Sequence, residues 1–225
     1  MPHAYQEWQD EEVEKMKKNM ITINSHSSWG FANVLTPKKG AKLGEFMPRM
    51  CTNFRLLNDI TRKDAYPLPR IDDILDTLKG NPEYFSGLDL FSGYYQIGLT
   101  PQAQERAAFV THRGHYEYTR MPFGMCNAPA TFQRMMNNIL KEQIGKTLLV
   151  YLDDVTIFTK TFEQHMQALR WVLERLREEG LFLKPKKMHY YHRTDEFLRI
   201  HHRSTRITNG PSKGRSSSNI PKTNQ

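Results

Sequence analysis

Between residues 5 and 20, Glu, Asp and Lys surround Trp8, Val13 and Met16 at helical spacing, which predicts an amphipathic surface helix. Residues 21 to 30 are polar and read as a loop. Phe31 to Leu35 and Arg49 to Phe54 predict two short strands joined by a loop bearing Lys and Gly. Pro67 and Pro69 precede Ile71, Ile74, Leu75 and Leu78, a helical stripe that Gly80 would stop. Tyr84 to Leu90 predicts a strand, and the runs Ala107 to Thr111 and Tyr116 to Thr119 flank Arg113 and Gly114 as a hairpin. Pro129 to Ile144 predicts a helix with Phe132, Met135, Met136, Ile139 and Leu140 inward. Thr147 to Leu152 and Val155 to Phe158 are apolar strands around Asp153 and Asp154. Phe162 to Glu179 predicts a helix carrying Leu169, Val172, Leu173 and Leu176 and ended by Gly180, and Leu181 to Leu183 opens another strand. There is no internal repeat. Strands and helices that mix through hairpins, without regular βαβ repetition, indicate an α+β fold.

Length and charge change this picture mainly at the end of the chain. At about 150 residues per domain, 225 residues suit one large domain or one domain with appendages. A content of 38% apolar and 25% charged residues fits a globular protein. No apolar run approaches the ~18 residues of a membrane span, so no membrane partner is expected. The polar, acidic N-terminus does not read as a secretory signal, and Cys51 and Cys126 read as reduced thiols of an intracellular protein, cytoplasmic or nuclear. The net charge of +8 is uneven: residues 199 to 225 hold six of the 32 Lys and Arg and none of the 24 acids, which leaves +2 for residues 1 to 198. From Arg203 onward only Ile207 and Ile220 are large and apolar, so the tail is expected to be disordered.

The chemistry-bearing residues are carboxylates. Asp153 and Asp154 stand between two strongly apolar strands, where adjacent like charges are costly without cations or abundant water. An ordinary Asp-rich turn reads equally well from these two residues alone. Asp89 ends the strand Tyr84 to Leu88. If that strand pairs beside the 148–158 hairpin, Asp89 and Asp153 converge, and two carboxylates from separate strands can bridge two divalent ions for phosphoryl transfer. A strand-end acid facing water is the bland alternative for Asp89.

In order and spacing, three segments resemble the reverse transcriptases of gypsy-type LTR retrotransposons: Tyr84-Phe85-Ser86-Gly87-Leu88-Asp89-Leu90-Phe91-Ser92-Gly93-Tyr94-Tyr95-Gln96-Ile97, Met121-Pro122-Phe123-Gly124-Met125-Cys126-Asn127-Ala128-Pro129-Ala130-Thr131-Phe132-Gln133, and Tyr151-Leu152-Asp153-Asp154. Tyr66-Pro67-Leu68-Pro69-Arg70-Ile71 is also similar, and the resemblance covers roughly residues 28 to 198. It implies the fingers and palm of a right-hand polymerase, with an antiparallel palm sheet backed by helices. Residues 1 to 27 would be an N-terminal extension. It implies RNA-directed DNA polymerase activity with an RNA or DNA template–primer, dNTP and two Mg2+ ions, or Mn2+ in their place. It leaves the oligomeric state open. Asp89, Asp153 and Asp154 match the metal triad, with Asp89 and Asp153 bridging and the Leu90 carbonyl as a further ligand. Tyr94 matches the steric gate below the sugar, against a plain core-packing role. Phe123 and Gly124 match the segment against the nucleotide, Arg49 the triphosphate-holding arginine, and Phe197 and Leu198 the primer grip. Lys38 or Lys39 would add a second cation, or both belong to a solvated loop.

Several positions depart from the family pattern. Asn53 replaces an acid, the loop from Gly40 to Pro48 is long, and Arg199 replaces a glycine after Phe197-Leu198. No thumb, connection or RNase H segment is legible. One extra base near codon 199 would account for the loss of pattern. The other frame allows Gly-(Phe/Tyr)-Ile-Ile after Leu198, then Met-Asp-Pro-Ala-Lys-Val-Glu across 209–215 and Tyr-Pro-Lys-Pro-Thr at the end. A natural basic tail that binds nucleic acid is the alternative. A catalytically inactive remnant that at most binds nucleic acid or a partner shares the fold and stands as the rival function.

Overall fold

The computed structural model describes residues 5–37, 48–69, 81–185 and 188–193, and holds two sheets, each with its own core. The first sheet has the order β1-β6-β5-β2-β3. Its strands are β1 (Thr22–Asn24), β2 (Phe31–Pro37), β3 (Pro48–Thr52), β5 (Ala108–Thr111) and β6 (Gly114–Tyr118). Only β2 and β5 run parallel; the other pairs are antiparallel. Helix α1 (Gln6–Lys18) packs Val13 and Met16 into the cluster of Phe31, Phe54, Leu57, Phe109 and Tyr118. Asp10 of α1 is buried and holds the β5–β6 turn through Arg113 at 2.7 Å and His112 at 3.3 Å. The expected N-terminal extension is therefore built into this sheet through α1 and β1.

The second sheet is antiparallel throughout, in the order β7-β8-β4-β9. It comprises β4 (Tyr84–Asp89), β7 (Leu148–Tyr151), β8 (Asp154–Thr159) and β9 (His189–Arg193). Alternate residues of a strand face opposite sides. Leu88, Leu148, Val150, Val155 and Ile157 meet two helices, α4 (Ala128–Leu140) and α5 (Phe162–Glu178). Those helices contribute Phe132, Met136, Leu140, Leu169, Val172 and Leu176. This is an antiparallel sheet backed by helices, as the resemblance implied. Leu99 and Met125 pack against both cores and link them.

The differences from the sequence reading are local. Residues 21 to 30 include β1, a three-residue strand too short to show a period. Arg49 to Phe54 stops as a strand at Thr52, and Phe54 instead caps α2 (Arg55–Ile60). A short helix α3 (Pro101–Arg106), N-capped by the Thr100 hydroxyl, was not expected, nor was β9. Leu181 to Leu183 makes a single bridge, Leu183 to Leu90, in place of a strand. The expected helix at 71–78, Lys38, Lys39, Phe197, Leu198 and the tail from 199 lie outside the described residues.

Candidate active site

Asp89 closes β4, and its place follows from alternation. Ser86 and Leu88 point toward α4 and α5, so Phe85, Gly87 and Asp89 face the opposite side of the sheet. The register sets Asp89 directly across from Asp154. The Leu90 N–H donates to the Asp153 carbonyl at 3.4 Å, which makes Asp89 and Asp154 a pair of the non-hydrogen-bonded kind, with Cα atoms about 4.5 Å apart. Asp153 sits in the two-residue turn Leu152–Asp153 that joins β7 to β8. Asp154, and not Asp153, is thus the direct cross-strand neighbour of Asp89.

The turn is strained. Leu152 has φ 54°, a left-handed conformation that favours glycine, at the first central position of a tight hairpin. Gln133 of α4, fully buried, holds it there. Its Oε1 accepts from the Leu152 N–H at 2.7 Å, and its Nε2 donates to Val150 O at 3.1 Å and to Asn137 Oδ1 at 2.8 Å. The helix that backs the sheet therefore fixes the backbone that carries Asp153. Gly93 leaves room for Phe132: a Cβ there would stand 2.9 Å from Phe132, and 3.5 Å from the Asp153 Cβ.

Tyr94 lies near Asp153 and is packed among aromatic rings, as the core-packing reading expects. It meets Phe123 at 5.0 Å and Phe132 at 5.5 Å between centroids. Its hydroxyl pKa is raised, by burial first and then by the nearby Asp153 charge. Phe123 is 45% exposed and touches Tyr95 as well. Gly124 has φ 98°, and a Cβ there would stand 3.4 Å from the Thr52 carbonyl. Asn58 of α2 pins this stretch, donating to Gly124 O at 2.8 Å and accepting from the Cys126 N–H at 2.9 Å. Arg49 is exposed on β3, in the other sheet from the carboxylates.

Asp89 and Asp154 thus face each other at one end of the β4–β8 pair, Asp153 follows in the adjoining turn, and Tyr94 lies near Asp153 with Phe123 against it. Among the described residues, no three His, Cys, Asp or Glu side chains converge into a metal cluster. The donors nonetheless suit a hard cation. They are oxygens only, Asp153 and Asp154 are exposed, and two acids opposite one another repel until a cation lies between them. The sequence reading gave no role to Gln133 or Asn58. Gln133 had one signal, a polar residue on an otherwise apolar helical stripe. Asn58 had none beyond its neighbours.

Comparison with known proteins gives this geometry its family. A model described as reverse transcriptase (RNA-dependent DNA polymerase) matches residues 36–207. The chain belongs to the reverse transcriptase family. It is 39% identical over 189 residues to the retrovirus-related Pol polyprotein from transposon 297 of Drosophila melanogaster, which covers 84% of this chain and 18% of that protein. It is 37% identical over 188 residues to the Pol polyprotein from transposon gypsy of the same fly, covering 83% and 18%. The chain therefore spans about a fifth of the length of the curated relatives it matches. Among solved structures, a foamy viral protease–reverse transcriptase in complex with RNA/DNA hybrid superposes with a TM-score of 0.73 at 23% identity, over 84% of this chain and 25% of that one. The reverse transcriptase fold and the gypsy-type resemblance are borne out.

Proposed function

We propose that this reverse transcriptase domain adds dNTPs to a primer 3′-hydroxyl under the direction of an RNA or DNA template, at the edge formed by Asp89, Asp153 and Asp154. The observation that carries the reading is the register of β4 against β8, which pairs Asp89 with Asp154 and hangs Asp153 from the adjoining turn. Asp89, Asp153 and Asp154, with the Leu90 carbonyl, would hold the divalent ions. When bound, Mg2+ would lower the pKa of the attacking hydroxyl and neutralise charge on the leaving oxygen. The protein's own part is positioning. Gln133 holds the turn, Gly93 leaves room for Phe132 beneath Tyr94, and Tyr94, near Asp153, would be the ring that collides with a 2′-hydroxyl. Phe123 and Gly124 would lie against the nucleotide. Arg49 and Lys38 or Lys39 would meet the triphosphate, and Phe197 and Leu198 would hold the primer.

The rival is a remnant that binds nucleic acid or a partner without catalysis. Single-nucleotide addition separates the two. With Mg2+, the chain is expected to add the nucleotide that complements each template base, and to add none with EDTA. Template–primer binding with no addition supports the rival.

A further inference from the structure

Residues 90–97 follow Asp89 and carry Gly93 and Tyr94. The backbone after α5 lies along their start. Phe91 N–H donates to Phe182 O at 2.9 Å, Lys184 N–H donates to Asp89 O at 2.8 Å, and Leu90 bridges Leu183. Ser92 holds φ 48° and ψ 50°, a left-handed conformation in a residue with a Cβ. Such a conformation persists where the surroundings over-determine it.

One side chain supplies that constraint. Gln96 Nε2 donates to Phe91 O at 2.6 Å and to Phe182 O at 2.9 Å, while its Oε1 accepts from the Phe182 N–H at 2.7 Å. A single planar amide therefore closes the loop from 91 to 96 and fastens it to residue 182. Its own carbonyl accepts from Arg120 at 3.3 Å. The chemistry calls for an amide of this length. A glutamate would turn acceptors toward two carbonyls, and an asparagine is one methylene shorter.

We propose that Gln96 is a positioning residue for nucleotide selection. It clamps residues 91–96 so that Tyr94 is held against Phe123 and Phe132 and beside Asp153. Gln96 acts through Tyr94 and does not touch the nucleotide. The inference rests on the polymerase function proposed above for this site.

The test uses the full chain with Gln96→Glu, and with Gln96→Met to keep the volume without the amide. Hydrogen exchange reads the clamp without any activity. The Phe182 amide is expected to exchange about tenfold faster in Gln96→Met, which offers it no oxygen, with α4 and β8 unchanged. In primer extension the dNTP KM is expected to rise and the dNTP-over-rNTP preference to fall by about tenfold, with kcat within a few-fold of the parent. Unchanged exchange at Phe182 in Gln96→Met overturns the clamp. Faster exchange with unchanged selectivity and KM reduces Gln96 to a structural tie and overturns its selective role. A parent chain that adds no nucleotide sinks the polymerase reading and the selective role together, while exchange still judges the clamp.

Discussion

At the scale of single residues, chemistry and support were unequally visible. Asp89, Asp153 and Asp154 stood out because acids among apolar strands are conspicuous, and Tyr94 through the family resemblance; the structure sets Asp89 across from Asp154 and Tyr94 near Asp153. Gln133 reads as one more helix residue, yet it fixes the turn that carries Asp153. Gln133→Leu would leave the Leu152 N–H without its partner inside the protein. The expected loss of stability is about 1–3 kcal/mol, read from the urea midpoint, and an unchanged midpoint would deny the amide its role. Tyr94→Val removes the ring from beside Asp153. Ribonucleotide incorporation is expected to rise about tenfold relative to dNTP, whereas an unchanged ratio would leave Tyr94 a packing residue only.

At the scale of elements, the long periodic helices and the alternating strands of the palm were legible. The short pieces were not. β1, α2 and α3 have three, six and six residues, fewer than a period needs, and they exist because partners hold them. Helix α5 is joined to the sheet by a polar contact as well as by its apolar stripe. His165 is fully buried, with Nε2 2.8 Å from Ser86 Oγ on β4 and Nδ1 3.1 Å from Thr159 Oγ1 on β8. Thr159 Oγ1 donates to the Thr161 carbonyl, so Nδ1 carries the imidazole proton and Nε2 accepts from Ser86. Burial lowers the His165 pKa below its usual value. The unfolded chain then binds the extra proton more readily than the folded one. The contribution is whole above about pH 6.5 and is lost as pH falls through that value toward the lowered folded pKa. Denaturant midpoints at pH 8 and pH 5.5 are expected to differ more in the parent than in His165→Gln. Equal differences would remove His165 from the account.

At the scale of the whole molecule, charge and reading frame matter together. Six of the 32 cationic residues lie in 199–225, so deleting that tail should weaken duplex binding. It should also flatten the salt dependence by up to about five units of slope, at roughly 0.9 per neutralised phosphate. Equal slopes would show that the tail leaves phosphates alone. Whether the tail is shifted text is decided by nucleotide sequence: removing one base near codon 199 should restore Met-Asp-Pro and an open frame, and failure to do so ends the idea. The central claim concerns the carboxylate edge, and one assay reaches it directly. Primer extension on an RNA template with Mg2+ and four dNTPs compares the chain with Asp153→Asn, which keeps the volume and removes the charge. The parent is expected to extend the primer, and the variant to lose at least about 100-fold in rate while remaining folded. A folded Asp153→Asn that extends as fast as the parent would contradict the account.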